Sequence, residues 1–151
     1  DCAPGRSCQD NVCVVLNATC DAPQELALDT PVRGDTTNAG RDRNGTCGGS
    51  DQSTDHAFAF TPASDGVHCF SLAGSDYDTV LHVRVGDCAA PERERGCNDD
   101  APQLTGEART SALNVNLAVG TIYFAIVDGF DGAAGTYQLR VSEGGCVPPA
   151  P

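Results

Sequence analysis

The chain has 151 residues and a mass of 15.6 kDa, room for one domain or one domain with a small appendage. Its 21 acidic residues stand against 9 basic ones, all arginine, for a net charge of −12. That field repels nucleic-acid phosphates and anionic membrane surfaces and attracts cations, and no apolar run is long enough to span a bilayer. Neither nucleic-acid binding nor membrane insertion is expected.

Residues 1–19, "DCAPGRSCQDNVCVVLNAT", carry Cys2, Cys8 and Cys13 without a periodic apolar pattern. They read as a Cys-rich N-terminal arm or small disulfide knot. The sequence starts at Asp1 with neither Met nor an apolar leader, as expected of a processed product without a membrane anchor. The other cysteines are Cys20, Cys47, Cys69, Cys88, Cys97 and Cys146, and none of the 9 falls in a C-x-x-C zinc spacing. So many thiols in a small chain point to disulfides and an oxidising compartment, secreted or at the cell surface. The count is odd, so one thiol is free or pairs outside the chain. Two sequons, at Asn17 and Asn44, are candidate glycosylation sites.

From Cys20 to Cys146 the pattern changes to short alternating runs between Gly, Asp, Asn and Pro. Phe58 and Phe60 share a face, as do Phe70 and Leu72, then Leu81, Val83 and Val85. Leu113, Val115 and Leu117 follow, then Ile122, Phe124 and Ile126, and finally Tyr137, Leu139 and Val141. Period-two alternation over about seven short runs predicts half-buried antiparallel strands. The expected fold is all-β: an antiparallel two-sheet sandwich, jelly-roll-like, over residues 20–146. The stretch "DGFDGAAG" reads as a hairpin loop between the last two strands, with Gly129, Gly132 and Gly135 available for positive φ. Residues 147–151 form a Pro-rich tail.

A family resemblance rests on several of these runs together. They are Asp78-Thr79-Val80-Leu81, Cys88 with Cys97-Asn98-Asp99-Asp100, Gly120 to Gly129, and Gly135 with Tyr137, Leu139 and Val141. Over residues 47–143 the chain resembles the bacterial pre-peptidase C-terminal (PPC) domain of large secreted proteins; the arm lies outside. The resemblance implies a β-sandwich appendage without catalytic residues of its own. With the shortness of the loop between them, it also implies a Cys88–Cys97 disulfide. Cys20 with Cys47 is then expected to clamp the first strand region. Cys146 is expected to reach Cys69 or the arm, and two of Cys2, Cys8 and Cys13 to pair.

The tract "RGCNDDAP" places Asn98, Asp99 and Asp100 back to back, which repel unless something takes their oxygens. Calcium wants six to eight hard oxygen ligands. Asp76 and Asp78, two apart at a strand entry, point the same way, and a Cys88–Cys97 bridge would aim Asn98, Asp99 and Asp100. Asp128 or Asp131 would complete a shell, and the cation would offset the like-charge repulsion. The alternative is that Asp78 and Asn98 only cap strand ends by bonding backbone amides. No EF-hand loop is present.

Other chemistry is weakly supported. His56, His68 and His82 fall in predicted strands beside no nucleophile motif; His56 beside Asp55 hints at acid–base work, but an exposed strand position is expected for it. "CGGSD" at 47–51 is superficially similar to a protease serine loop but lacks the Gly-x-Ser-x-Gly elbow. Asp76 with Asp78 as a glycosidase pair lacks an aromatic platform, with no Trp and three Tyr. The expectation is therefore a non-catalytic protein. Two functions remain. One is a structural subunit of an extracellular assembly (filament, sheath or adhesive array), self-associating through the arm or the tail; the odd cysteine favours it. The other is an accessory module of a larger secreted protease or other exported enzyme; family precedent favours it.

Overall fold

The computed structural model describes residues 2–49 and 52–148; Ser50 and Asp51 of "CGGSD" and the last three residues of the tail lie outside them. Among the described residues, eleven strands form two facing sheets. β1 (Arg6–Gln9), β2 (Val12–Val15), β4 (Val32–Asp35), β11 (Thr136–Glu143), β6 (Gly66–Ser71) and β9 (Ala112–Leu117) make one sheet in that order. β3 (Gln24–Glu25), β5 (His56–Phe60), β10 (Tyr123–Gly129), β7 (Thr79–Val85) and β8 (Glu94–Asn98) make the other. The only α-helix among the described residues is one turn, Pro102–Thr105, ended by Gly106 at φ 78°. No helix among them is long and apolar enough to cross a membrane.

The expected sandwich is present, with two refinements. The pairings are antiparallel except β2 with β4 and β3 with β5, which are parallel, so both sheets are mixed. The arm also contributes strands: β1 and β2 extend the six-stranded sheet beyond β4.

The core between the sheets holds the alternating residues read from sequence, including Phe58, Phe70, Leu72, Leu81, Val83, Leu139 and Val141. β10 departs from expectation. All seven of its residues are buried, and Tyr123, Ala125 and Val127 face the opposite sheet. Phe124 and Ile126 point outward, into a second cluster with Ala57, Ala59, Cys20 and Cys88, while Ile122 precedes the strand and is 38 % exposed. A strand buried on both faces carries no alternation to reveal which face is which.

Residues 36–49 and 52–55, between β4 and β5, pack on the outer side of the same sheet, against β7 and β8. The fully buried Arg84 donates to the Asn44 carbonyl at 2.9 Å and to the Cys88 carbonyl at 2.7 Å. Gly45 lies so close that a Cβ would sit 2.9 Å from Cys97 Sγ and from His82 Cδ2. Asp55 Oδ2 accepts the backbone N–H groups of Asp42 and Arg43, both at 2.9 Å. Two disulfides fasten the layer, Cys20–Cys88 and Cys47–Cys97.

Those bridges correct the expected pairing. Cys88 and Cys97 do not bond each other, nor do Cys20 and Cys47; each bonds across to the other pair. The loop that separates Cys88 from Cys97 turns through a 3-10 helix (Pro91–Arg93), and segment 36–55 inserts Cys47 against Cys97. Cys146 does bond Cys69, and within the arm Cys2 bonds Cys13 while Cys8 is free and exposed.

Two further expectations fail. β10 and β11 belong to different sheets, so "DGFDGAAG" crosses the sandwich and is not a hairpin loop. Of its glycines only Gly132 has positive φ, at 92°, and Asp131 shares that region at 45°. Gly129 serves a different need, since a Cβ there would sit 1.8 Å from the Ala133 carbonyl oxygen. His56 is buried, not exposed, and so are His68 and His82. His56 and His68 face the inter-sheet core, where His56 Nδ1 is 2.8 Å from Tyr137 Oη and His68 packs against Phe60. His82 faces the outer layer.

Candidate metal centre

β7 and β8 run antiparallel with Leu81 opposite Asn98. The residue entering β7, Asp78, is thereby brought beside the two that leave β8, Asp99 and Asp100. One carboxylate oxygen from each lies within 4.8 Å of the others. Three like charges at that spacing repel, and burial adds to the cost. Asp78 is held above the usual carboxylate range by burial first and by the Asp100 charge second, with Arg109 opposing. Asp99 is raised by burial, then by Asp100 and Asp78. Oδ1 of Asp78 and Oδ1 of Asp99 are both buried without a hydrogen-bond partner. An orphaned buried carboxylate oxygen is costly unless something supplies positive charge.

The backbone under the cluster is braced by Thr79, which belongs to the Asp78-Thr79-Val80-Leu81 run, and by Ser111, which no sequence pattern singled out. Thr79 Oγ1 and Ser111 Oγ are 2.9 Å apart, and Ser111 N–H donates to Thr79 Oγ1 at 3.0 Å. The Ser111 hydroxyl also reaches the carbonyls of Thr79 and Asp99. Phe130 N–H donates to the Asp78 carbonyl at 2.9 Å. Gly48 lies over the site, where a Cβ would meet Val80 and come 3.5 Å from Asp99 Cγ. The Cys47–Cys97 bridge joins that segment to the end of β8.

Of the remaining sequence candidates, Asp76, Asp128 and Asp131 are not part of this cluster, and Asn98 adjoins it with its side chain on backbone groups. Asp76 is exposed and accepts the Thr136 N–H at 2.9 Å, capping the start of β11. Asn98 Oδ1 accepts the Ala112 N–H at 3.2 Å and its amide reaches the Asp100 carbonyl at 3.4 Å. Asp128 is fully buried; its Oδ1 accepts the Gly129 N–H at 3.0 Å and its Oδ2 lies 3.4 Å from His82 Nε2. Asp131 is exposed at the crossing loop, its N–H on the Gly48 carbonyl at 3.3 Å. Asn17 and Asn44 are exposed.

A crystal structure of the pre-peptidase C-terminal domain of collagenase from Bacillus anthracis is similar to this chain. It has a TM-score of 0.51 and 18% sequence identity, over 78% of this chain and 92% of that one. The sandwich is PPC-like. At this identity the likeness is one of fold, and it agrees with the motifs read from residues 47–143. No family model matches the chain, and no curated protein matches it.

Proposed function

We propose that this PPC-like chain is a non-catalytic accessory module of a larger exported protein, and that Asp78, Asp99 and Asp100 hold a calcium ion. The accessory reading is supported by the fold it shares with a domain described as part of a collagenase. Four disulfides within the described residues support work outside the reducing cytosol. The calcium reading is carried by one observation: two buried carboxylate oxygens without partners converge with a third carboxylate where two strands end. An all-oxygen, all-acidic donor set suits a hard divalent cation. The ion would offset their repulsion and tie the start of β7 to the end of β8.

Thermal unfolding in calcium and after EDTA tests this. Calcium at a hundredfold excess over its dissociation constant stabilises the fold by about 2.7 kcal/mol, and the gain is lost in Asp99→Asn. No calcium-dependent shift in the unmutated protein sinks the calcium reading. A second reading, a subunit of an extracellular assembly, is favoured by the exposed free thiol of Cys8. Sedimentation velocity on non-reduced protein separates the two. A monomer with and without EDTA fits the accessory module. Large species that vanish in Cys8→Ser fit a disulfide-linked assembly.

A further inference from the structure

β1 and β2 form a hairpin whose loop residues, Asp10 and Asn11, have φ of 49° and 64°, the signature of a two-residue type I′ turn. Cys8 lies directly opposite Cys13 in its register. Antiparallel ladders alternate hydrogen-bonded with non-hydrogen-bonded pairs. Leu16 N–H donates to the Gly5 carbonyl at 2.9 Å, so that pair is a bonded one. Counting toward the turn, Arg6–Val15 is non-bonded, Ser7–Val14 bonded and Cys8–Cys13 non-bonded. In non-bonded pairs the Cα atoms are about 4.5 Å apart and both side chains stand on one face. That falls inside the range of about 4.4–6.8 Å that a disulfide spans. Yet Cys13 is bonded to Cys2, with a Cα separation of 5.5 Å, and the Cys8 thiol is free and exposed.

We infer that the hairpin carries two interchangeable disulfides, Cys2–Cys13 and Cys8–Cys13, so that the one free thiol passes between Cys8 and Cys2. The Cys8 thiol loses its proton to water and its sulfur attacks Cys13 Sγ. The Cys8–Cys13 bond forms as the Cys2–Cys13 bond breaks, and Cys2 leaves as a thiolate that takes a proton from water. One thiol and one disulfide stand on each side, so no oxidant or reductant is consumed. The exchange moves the reactive sulfur from an edge strand to the start of the sequence, so the same hairpin offers a partner disulfide either of two attachment points. This inference rests on the hairpin alone and is independent of calcium and of the accessory role.

The test is slow alkylation of the non-reduced protein with iodoacetamide, followed by peptide mapping without reduction. Label is expected on both Cys8 and Cys2, in a ratio that does not change with protein concentration, and Cys8→Ser removes the label at Cys2. Label on Cys8 alone at every pH, or a Cys2 share that grows with concentration, overturns the inference. So does label on Cys13 in place of Cys2. A second variant guards against slow kinetics: oxidised Cys2→Ser is expected to contain a Cys8–Cys13 bridge and no thiol reactive with Ellman's reagent. A persistent pair of free thiols in that variant overturns the inference equally.

Discussion

On one face of β10, Tyr123, Ala125 and Val127 meet the opposite sheet in a core of aromatic and aliphatic side chains. On the other face, Phe124 and Ile126 pack with Ala57, Ala59, Cys20 and Cys88, and Asp128 lies beside His82, while Arg84 on neighbouring β7 bonds the Asn44 carbonyl. Both faces exclude water, but by different means. The inner face gains from apolar area removed from water, at roughly 25 cal/mol per Å². The outer side is packed by residues 36–49 and 52–55, which contain no strand or α-helix and whose ordering costs about 1–2 kcal/mol per residue in backbone entropy. It also buries a guanidinium against two carbonyls. Disulfides offset that entropy by constraining the unfolded chain. The comparison teaches that one strand can be held by packing on one side and by covalent bonds on the other.

Three experiments probe that division. Phe70→Ala removes a fully buried ring from the inner core and is expected to cost about 3–5 kcal/mol by denaturant unfolding. A cost near 1 kcal/mol would mean that the disulfides hold the sheets together without this core. Replacing Cys47 and Cys97 together with Ser is expected to cost about 2–4 kcal/mol and to leave the inner packing intact. Amide exchange should rise first in segment 36–55 and at the end of β8; uniform loss of protection would break the comparison.

Acid provides the third. Burial lowers His56 to about 4 and, with the Arg84 charge adding, His82 to about 3. Burial raises Asp55 to about 6, against two backbone N–H groups that lower it. Between pH 6 and pH 4 the unfolded chain holds two histidine protons that the folded one lacks. The folded chain holds one on Asp55 that the unfolded one lacks. The net is one proton favouring unfolding, so stability falls as pH falls, by about 1.4 kcal/mol per unit. The raised Asp78 and Asp99 act in the same direction as Asp55, which makes about 2–3 kcal/mol over that window a ceiling. Stability that rises on acidification would show the histidines to be accessible to protons in the fold.

The inner half of this architecture was legible because one-sided burial writes itself as alternation. Phe58 with Phe60 and Leu139 with Val141 point inward as their spacing requires. Phe124 and Ile126 misled because β10 has no solvent face. The cysteine pairing was illegible for a related reason: it depends on where segment 36–55 lies, and that segment carries neither period nor propensity. "DGFDGAAG" has the composition of a hairpin turn, but composition does not say whether the strands it joins share a sheet. In the acidic cluster, Asp78, Asp99 and Asp100 converge through the pairing of β7 with β8. Asp76 and Asp128 stand apart because their carboxylates accept backbone N–H groups elsewhere. Thr79 was visible only as part of the Asp78-Thr79-Val80-Leu81 run, and Ser111 had no signal, since a buried hydroxyl pair between strand ends leaves no pattern in a chain rich in small polar residues.

The order of the bridges has a consequence for cleavage. Cys20–Cys88, Cys47–Cys97 and Cys69–Cys146 overlap along the chain like links, so every peptide bond from Cys20 to Cys146 is spanned by at least one of them. A protease that cuts any single bond in that stretch leaves both fragments covalently joined. The stretch between Cys13 and Cys20 has no such span: Cys2–Cys13 closes only on itself. One cut between Val15 and Cys20 severs the whole hairpin, with the sulfurs of Cys2, Cys8 and Cys13, from the rest of the polypeptide. The sandwich is thus protected against a single nick, while the arm that bears the exposed thiol is detachable.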